Sequence, residues 1–251
     1  HKTTESGQTI LSHNSVPDRV TKDWFTADFW DKKNAITGES KGRNTTYFIK
    51  YLAGKAEADS TTERHLVLRH YYRGGLVSKI LHDEFLFTGI NKTRSFAELI
   101  MLQKMVELGL PVPKPIAAMV TKVAGLWCRN DILIERIADA KDGFHWLLTQ
   151  ELSDDIWQKI GATIKRFHDC GVFHSDLNIH NIMIDEDGKV FLIDFDRCEF
   201  RSPAQDWQQA NLDRLLRSLE KEKNKVADSA PNNTFHFGDQ QWQQLLLGYA
   251  K

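Results

Sequence analysis

Residues 172–185 read VFHSDLNIHNIMID and, after a short turn, residues 190–196 read VFLIDFD. Asp176 lies in a loop just past a predicted helix. Asn181 follows at the mouth of a strand, and Asp194 ends the next one. Residues 182–184 and 190–193 have the apolar, branched content of strands, and Asp185-Glu186-Asp187-Gly188 between them has the composition of a hairpin turn. A hairpin brings Asn181 and Asp194 to the same end. Two oxygen-bearing side chains there suit a hard cation such as Mg²⁺, and Asp176, just upstream, is placed to accept a proton. Phosphoryl transfer needs this division of labour: a metal neutralises phosphate charge while a carboxylate orients the attacking hydroxyl. Each residue alone is an ordinary turn former or cap; the combination points to chemistry. His174 and His180 lack the cysteine or third histidine of a zinc site and are read as backbone braces.

The spacing HxDLxxxxN, followed by a strand ending in Asp-Phe, matches the catalytic-loop and metal-loop pattern of kinases. The rest of the chain suits a protein-kinase-like, two-lobed α+β fold. In the N-terminal part, strands are expected at 47–52, 64–72, 116–123 and 132–137, around one helix over 93–108. That helix places Phe96, Leu99, Ile100, Leu102, Met105 and Val106 at helical spacing, with Gly109 at its C-terminal cap. PVPKP at 111–115 is a rigid extended connector. The C-terminal part reads as mainly helical. One helix is capped by Ser153, carries Ile156, Trp157, Ile160, Ile164 and Phe167, and is ended by Gly171; others are expected over 204–219 and 240–249. The lobes are set at 1–137 and 138–251, and the first 23 residues, being polar, are read as loose.

The N-terminal lobe is expected to clamp ATP. Kinases place a basic residue on an early strand and pair it with a helix Glu. Leu66-Val67-Leu68-Arg69 fills the V-A-I-K slot with Arg69 in place of Lys, and Glu98 lies on the predicted helix. Arg keeps the charge but presents a different fork geometry. Gly42 precedes the first good strand and allows close phosphate approach, although no G-x-G-x-x-G run surrounds it. Glu135-Arg136-Ile137 sits at the lobe junction, so backbone groups of Glu135 and Ile137 are candidates to meet the adenine ring.

The chain has 251 residues and a net charge of −1, which disfavours nucleic acid as a partner. Cys128, Cys170 and Cys198 are widely spaced and form no CxxC pair, so reduced thiols are expected. No apolar run is long enough to span a bilayer, and residues 1–8 lack a signal peptide's apolar core. A soluble, cytoplasm-facing protein is the expectation.

On these residues the sequence resembles the bacterial Kdo kinase family. The likeness is carried by LVLRHYYRGGL (66–76), TRSFAELIMLQKMVELGLPVPKPIAA (93–118), the 174–181 loop, LIDFDR (192–197) and WQQANLDRLLRSL (207–219). It implies an ATP- and Mg²⁺-dependent kinase that phosphorylates the 4-hydroxyl of 3-deoxy-D-manno-octulosonic acid (Kdo) on Kdo-lipid A, during lipopolysaccharide core assembly. Asp176 then resembles the catalytic base, Asn181 and Asp194 the metal positions, and Arg69 with Glu98 the nucleotide-side pair. The acceptor implied is an anionic sugar on a lipid anchor, met at the cytoplasmic face of the inner membrane by peripheral contact, with no protein partner implied. Arg73, beside two glycines, is a candidate for its anionic groups. The apolar segment 76–87 either rests on the membrane or packs on its own lobe.

Departures from protein kinases are informative. Ser175 replaces the Arg before the catalytic Asp, Asp196 replaces the Gly of D-F-G, and no A-P-E follows. A small acceptor fits better than a peptide. Two alternatives stay open: another small-molecule kinase, of the aminoglycoside or choline type, and a non-catalytic pseudokinase that binds a partner.

Overall fold

The computed structural model describes residues 1–13, 19–41, 45–53, 62–73, 83–230 and 233–251. The chain divides into two compact units, residues 1–104 with 113–136, and residues 105–112 with 137–251.

The first unit is built on an antiparallel sheet. β1 (Lys2–Glu5) and β2 (Gln8–Ser12) form a hairpin across Ser6-Gly7. Both turn residues have positive φ, 47° and 79°, as a type I′ hairpin turn requires. A 3₁₀ turn (Lys22–Phe25) and α1 (Ala27–Asp31) precede β3 (Ile36–Lys41), β4 (Thr45–Ala53) and β5 (Thr62–His70). β6 (Phe85–Leu86), α2 (Arg94–Glu107), β7 (Pro115–Lys122) and β8 (Trp127–Glu135) complete the unit. The strand order is β1-β2-β7-β8-β5-β4-β3, with β6 also on β8.

Of the first 23 residues, read from the sequence as loose, the described residues 1–13 carry the β1–β2 hairpin and 22–23 begin a 3₁₀ turn. β2 pairs with β7, Ile10 is buried, and Val20, Trp24 and Phe25 enter the core beside Trp30. An edge hairpin exposes most of its side chains, so its polar composition concealed it. The Trp30 indole N–H donates to Trp24 O at 2.8 Å. Ile49, Leu66, Leu68, Ile116, Met119 and Leu133 fill the same core from the strands. α2 is tethered by Ser95, whose hydroxyl donates to Met119 O at 3.2 Å and whose N–H donates to Asn130 Oδ1 at 3.3 Å. Phe96, Leu99 and Leu102 are buried, whereas Ile100 is exposed. At 100° per residue, Ile100 falls opposite the buried stripe.

The second unit opens with β9 (Ala140–Asp142) and α3 (Gly143–Thr149), neither expected from the sequence. α4 (Asp154–Asp169) begins at Ser153, whose hydroxyl accepts the Ile156 N–H, and ends before Gly171 at φ 75°. β10 (Val172–Phe173), β11 (Ile182–Asp185), β12 (Val190–Leu192), β13 (Glu199–Phe200), α5 (Gln205–Ser229) and α6 (Asp239–Tyr249) follow. β12-β11-β9 form one sheet and β10-β13 another, both antiparallel. α5 runs beyond the expected 204–219: residues 220–223 are good helix formers, and Glu222 and Val226 are buried. α4 and α6 meet at glycines: a Cβ on Gly161 would lie 1.9 Å from Leu245 O, and one on Gly248 2.0 Å from Gln158 O.

Candidate active site

β10 delivers the chain into the 174–181 loop, which is held from both sides. The His174 backbone is gripped by Asn211 of α5: its N–H donates to Asn211 Oδ1 at 3.2 Å, and its carbonyl accepts from Asn211 Nδ2 at 3.1 Å. The buried His174 ring accepts the Asp176 N–H at Nδ1 (3.2 Å) and bonds Ile193 O through Nε2 (3.0 Å). Burial pushes this histidine's pKa down, which favours the neutral ring with its proton on Nε2. His174 thus braces the backbone, tying the Asp176 loop to the residue before Asp194.

Asn181 closes the loop. Its Nδ2 donates to Asp176 O at 2.9 Å, and its own carbonyl accepts the Ile193 N–H at 3.0 Å. Asn181 and Asp194 are therefore set together by one hydrogen bond at the mouth of the β11–β12 hairpin. Asp194 itself adopts φ 62°, the left-handed region that a non-glycine residue enters at a cost. The next residue, Phe195, is buried against Phe167 and His174. Ser175 Oγ donates to Asp196 O at 2.9 Å, so Asp196 is bound to the loop by its backbone. The Asp176 side chain is 59% exposed and meets Arg214 Nη1 at 2.8 Å through Oδ1.

Asn181 and Asp194, the expected metal positions, carry oxygen donors of the kind Mg²⁺ takes. The commitment of Asn181 Nδ2 to Asp176 leaves its amide oxygen as a ligand, and Asp194 adds a carboxylate. Among the described residues no cluster of three His, Cys, Asp or Glu could hold a metal ion. The pair fits Mg²⁺, which takes few protein ligands and completes its shell from water and substrate phosphates.

Sequence reasoning assigned no role to α5, yet α5 supports the loop. Trp207, Asn211, Arg214, Ser218 and Glu222 recur every three or four residues and share one face. Besides the Asn211 and Arg214 contacts, Ser218 Oγ accepts the Ile179 N–H at 3.3 Å and Glu222 lies 3.6 Å from His180 Nε2. That periodicity within WQQANLDRLLRSL was the available signal.

The first unit contains the other candidates. Arg69 on β5 pairs with Glu98 on α2: Nη2 lies 2.6 Å from Oε1 and 2.5 Å from Oε2. Glu98 is buried and also accepts from the Tyr71 hydroxyl. Burial, and after it the Glu98 charge, push the Tyr71 pKa well up, so the phenol stays a donor. Glu135 ends β8 with its N–H on Lys114 O at 2.8 Å and its carboxylate 3.3 Å from Lys114 Nζ. Ile137, the first residue after residue 136 in the second unit, is half-buried. The Arg73 guanidinium lies 5.4 Å from the centroids of both Phe85 and Trp127, and Nε donates to Glu84 O at 2.5 Å. Gly42 lies outside the described residues, as do residues 76–82 of the apolar segment; Phe85 and Leu86 of that segment pair with β8.

A sequence profile of the lipopolysaccharide kinase (Kdo/WaaP) family matches residues 27–249. The 3-deoxy-D-manno-octulosonic acid kinase of Mannheimia succiniciproducens is 42% identical over 229 residues, covering 90% of this chain and 89% of its own. The enzyme of that name from Haemophilus influenzae (strain 86-028NP) is 40% identical over 244 residues, covering 96% and 95%. Among solved structures, WaaP in complex with acyl carrier protein superposes with a TM-score of 0.53 at 14% identity, covering 96% of this chain and 88% of that one. At such identity the likeness is one of fold, and it agrees with the expected kinase-like α+β class.

Proposed function

Because this chain belongs to the lipopolysaccharide kinase (Kdo/WaaP) family and is a phosphotransferase with an alcohol group as acceptor, we propose that it transfers the γ-phosphoryl group of ATP to the 4-hydroxyl of Kdo on Kdo-lipid A. The observation that carries this reading is the hydrogen-bonded set of Asp176, His174 and Asn181, tied to Ile193, the residue before Asp194.

In this mechanism Asp176 accepts a hydrogen bond from the acceptor hydroxyl, aligns it and takes its proton as the new P–O bond forms and the bond from the γ-phosphorus to the β,γ-bridging oxygen breaks, with ADP leaving. Arg214 holds Oδ1 of the same carboxylate, leaving Oδ2 for the hydroxyl. Asn181 and Asp194 would hold Mg²⁺, which when bound would neutralise charge on the phosphates. Arg69, steadied by Glu98, is assigned to the ATP phosphates, and the backbone at Glu135 and Ile137 to the adenine ring. Gly42 is retained for phosphate approach. Arg73 is kept for the acceptor's anionic groups; its Nε is held by Glu84 O and its guanidinium lies over Phe85 and Trp127. The two units correspond to a nucleotide-clamping part and a catalytic part. No helix among the described residues is long and apolar enough to cross a membrane, which suits peripheral work at the cytoplasmic face of the inner membrane.

The test is mass spectrometry of Kdo-lipid A incubated with the protein, ATP and Mg²⁺. A gain of one phosphate, located on the Kdo 4-hydroxyl, is expected. Transfer to an aminoglycoside or choline, and none to Kdo-lipid A, would overturn the acceptor assignment.

A further inference from the structure

Beyond the loop-holding Arg214, α5 carries two further cations on the same side, Arg217 and Lys221. Arg214, Arg217 and Lys221 are spaced three and four residues apart, so they share one flank of the helix. All three are exposed. The face beside them is filled by Asn211, Leu215, Leu219 and Glu222, which are buried. Two acids border the flank: Asp213, which accepts from the Gln209 amide through Oδ1 at 2.8 Å, and the exposed Glu220. Glu222 points to His180 and Lys225. The flank is therefore a stripe of three cations spanning about 10 Å along the axis.

Its position gives the stripe meaning. It starts at Arg214, 2.8 Å from Asp176 Oδ1, and proceeds along the helix whose Ser218 and Glu222 meet Ile179 and His180 of the same loop. An acceptor whose hydroxyl lies on Asp176 would extend beside this helix. Guanidinium and ammonium groups there would meet carboxylate or phosphate oxygens through charge-assisted hydrogen bonds.

We propose that the Arg214–Arg217–Lys221 flank is the acceptor subsite, binding the carboxylate or phosphate groups that the acceptor carries away from the hydroxyl to be phosphorylated. The inference rests on Asp176 being the base. Arg214 joins the two functions, orienting Asp176 and opening the stripe, while Arg217 and Lys221 serve binding alone.

The test compares wild type with Arg217→Glu/Lys221→Glu on Kdo-lipid A and on the same acceptor with its lipid phosphates removed. In wild type, removal should raise the acceptor KM roughly tenfold or more, as expected for losing charge-assisted contacts. The variant should show that raised KM with the phosphorylated acceptor and gain little from the phosphates, with kcat and the KM for ATP unchanged. Unchanged ATP kinetics also certify that the variant is folded. A variant with the wild-type KM for Kdo-lipid A overturns the subsite and leaves the kinase reading intact. The subsite is likewise overturned if acceptor kinetics hold while binding of an acidic protein, such as acyl carrier protein, is lost. Full turnover by Asp176→Ala would instead remove the base, and the subsite with it.

Discussion

Arg69 stands on the strand position where kinases commonly carry lysine, and its partner Glu98 is 3% exposed. A buried carboxylate deprived of its cation is costly, about 3–5 kcal/mol. Arg69→Met should therefore lower stability by an amount of that order, read by urea unfolding, besides weakening ATP binding. Arg69→Met/Glu98→Leu should recover much of the stability but not the ATP affinity. Full stability in the single variant would mean that the pair is not coupled as drawn. The pairing was legible because strand slot and helix glutamate follow a known pattern. Tyr71 was not legible as the third member, since its side chain meets Glu98 only once strand and helix are packed. Arg214 was hidden for the same reason: nothing local links it to Asp176, 38 positions earlier.

At the scale of elements, α4 was readable from its cap, its apolar spacing and its terminal glycine, because each of these acts within one helix. The β1–β2 hairpin was not, since its burial is supplied by β7, far along the chain. The α4–α6 contact was equally silent, because close approach of two helices leaves only glycines as a trace. Gly161→Ala offers a sharp test. Alanine is favoured over glycine in a helix by about 1 kcal/mol. Its Cβ, however, would meet backbone atoms of α6 at 1.9 and 2.7 Å, which cannot swing aside as a side chain would. Steric cost should win, giving a net loss of roughly 1–3 kcal/mol in denaturant unfolding. A rise in stability would show that the helices can separate freely.

Across the whole molecule, acid acts on the two units with opposite sign. In the second unit, burial lowers the pKa of His168 from 6.5 to about 4 and lowers that of His174 as well. A depressed folded pKa contributes stability that is present above pH 6.5 and is lost as pH falls towards 4. For His168 alone the loss is about 2 kcal/mol at pH 5. In the first unit, burial pushes His70 down, but Asp131 and Asp83 more than offset it, so its pKa is raised. That contribution is full below pH 6.5 and fades as pH rises through the folded value. Unfolding of the intact chain, followed by hydrogen exchange at pH 7 and pH 5, should show protection falling in α4 and around the 174–181 loop before β5. Equal protection of α4 at both pH values would contradict this.

The whole reaction remains the most direct judge. Phosphate gain on Kdo-lipid A should be measured for wild type and Asp176→Ala side by side, together with the Mg·ATP affinity of each. The account predicts phosphorylation by wild type, none by the variant, and similar nucleotide affinity in both, because Asp176 meets the acceptor rather than ATP. Phosphorylation by Asp176→Ala at the wild-type rate would contradict the account at its centre.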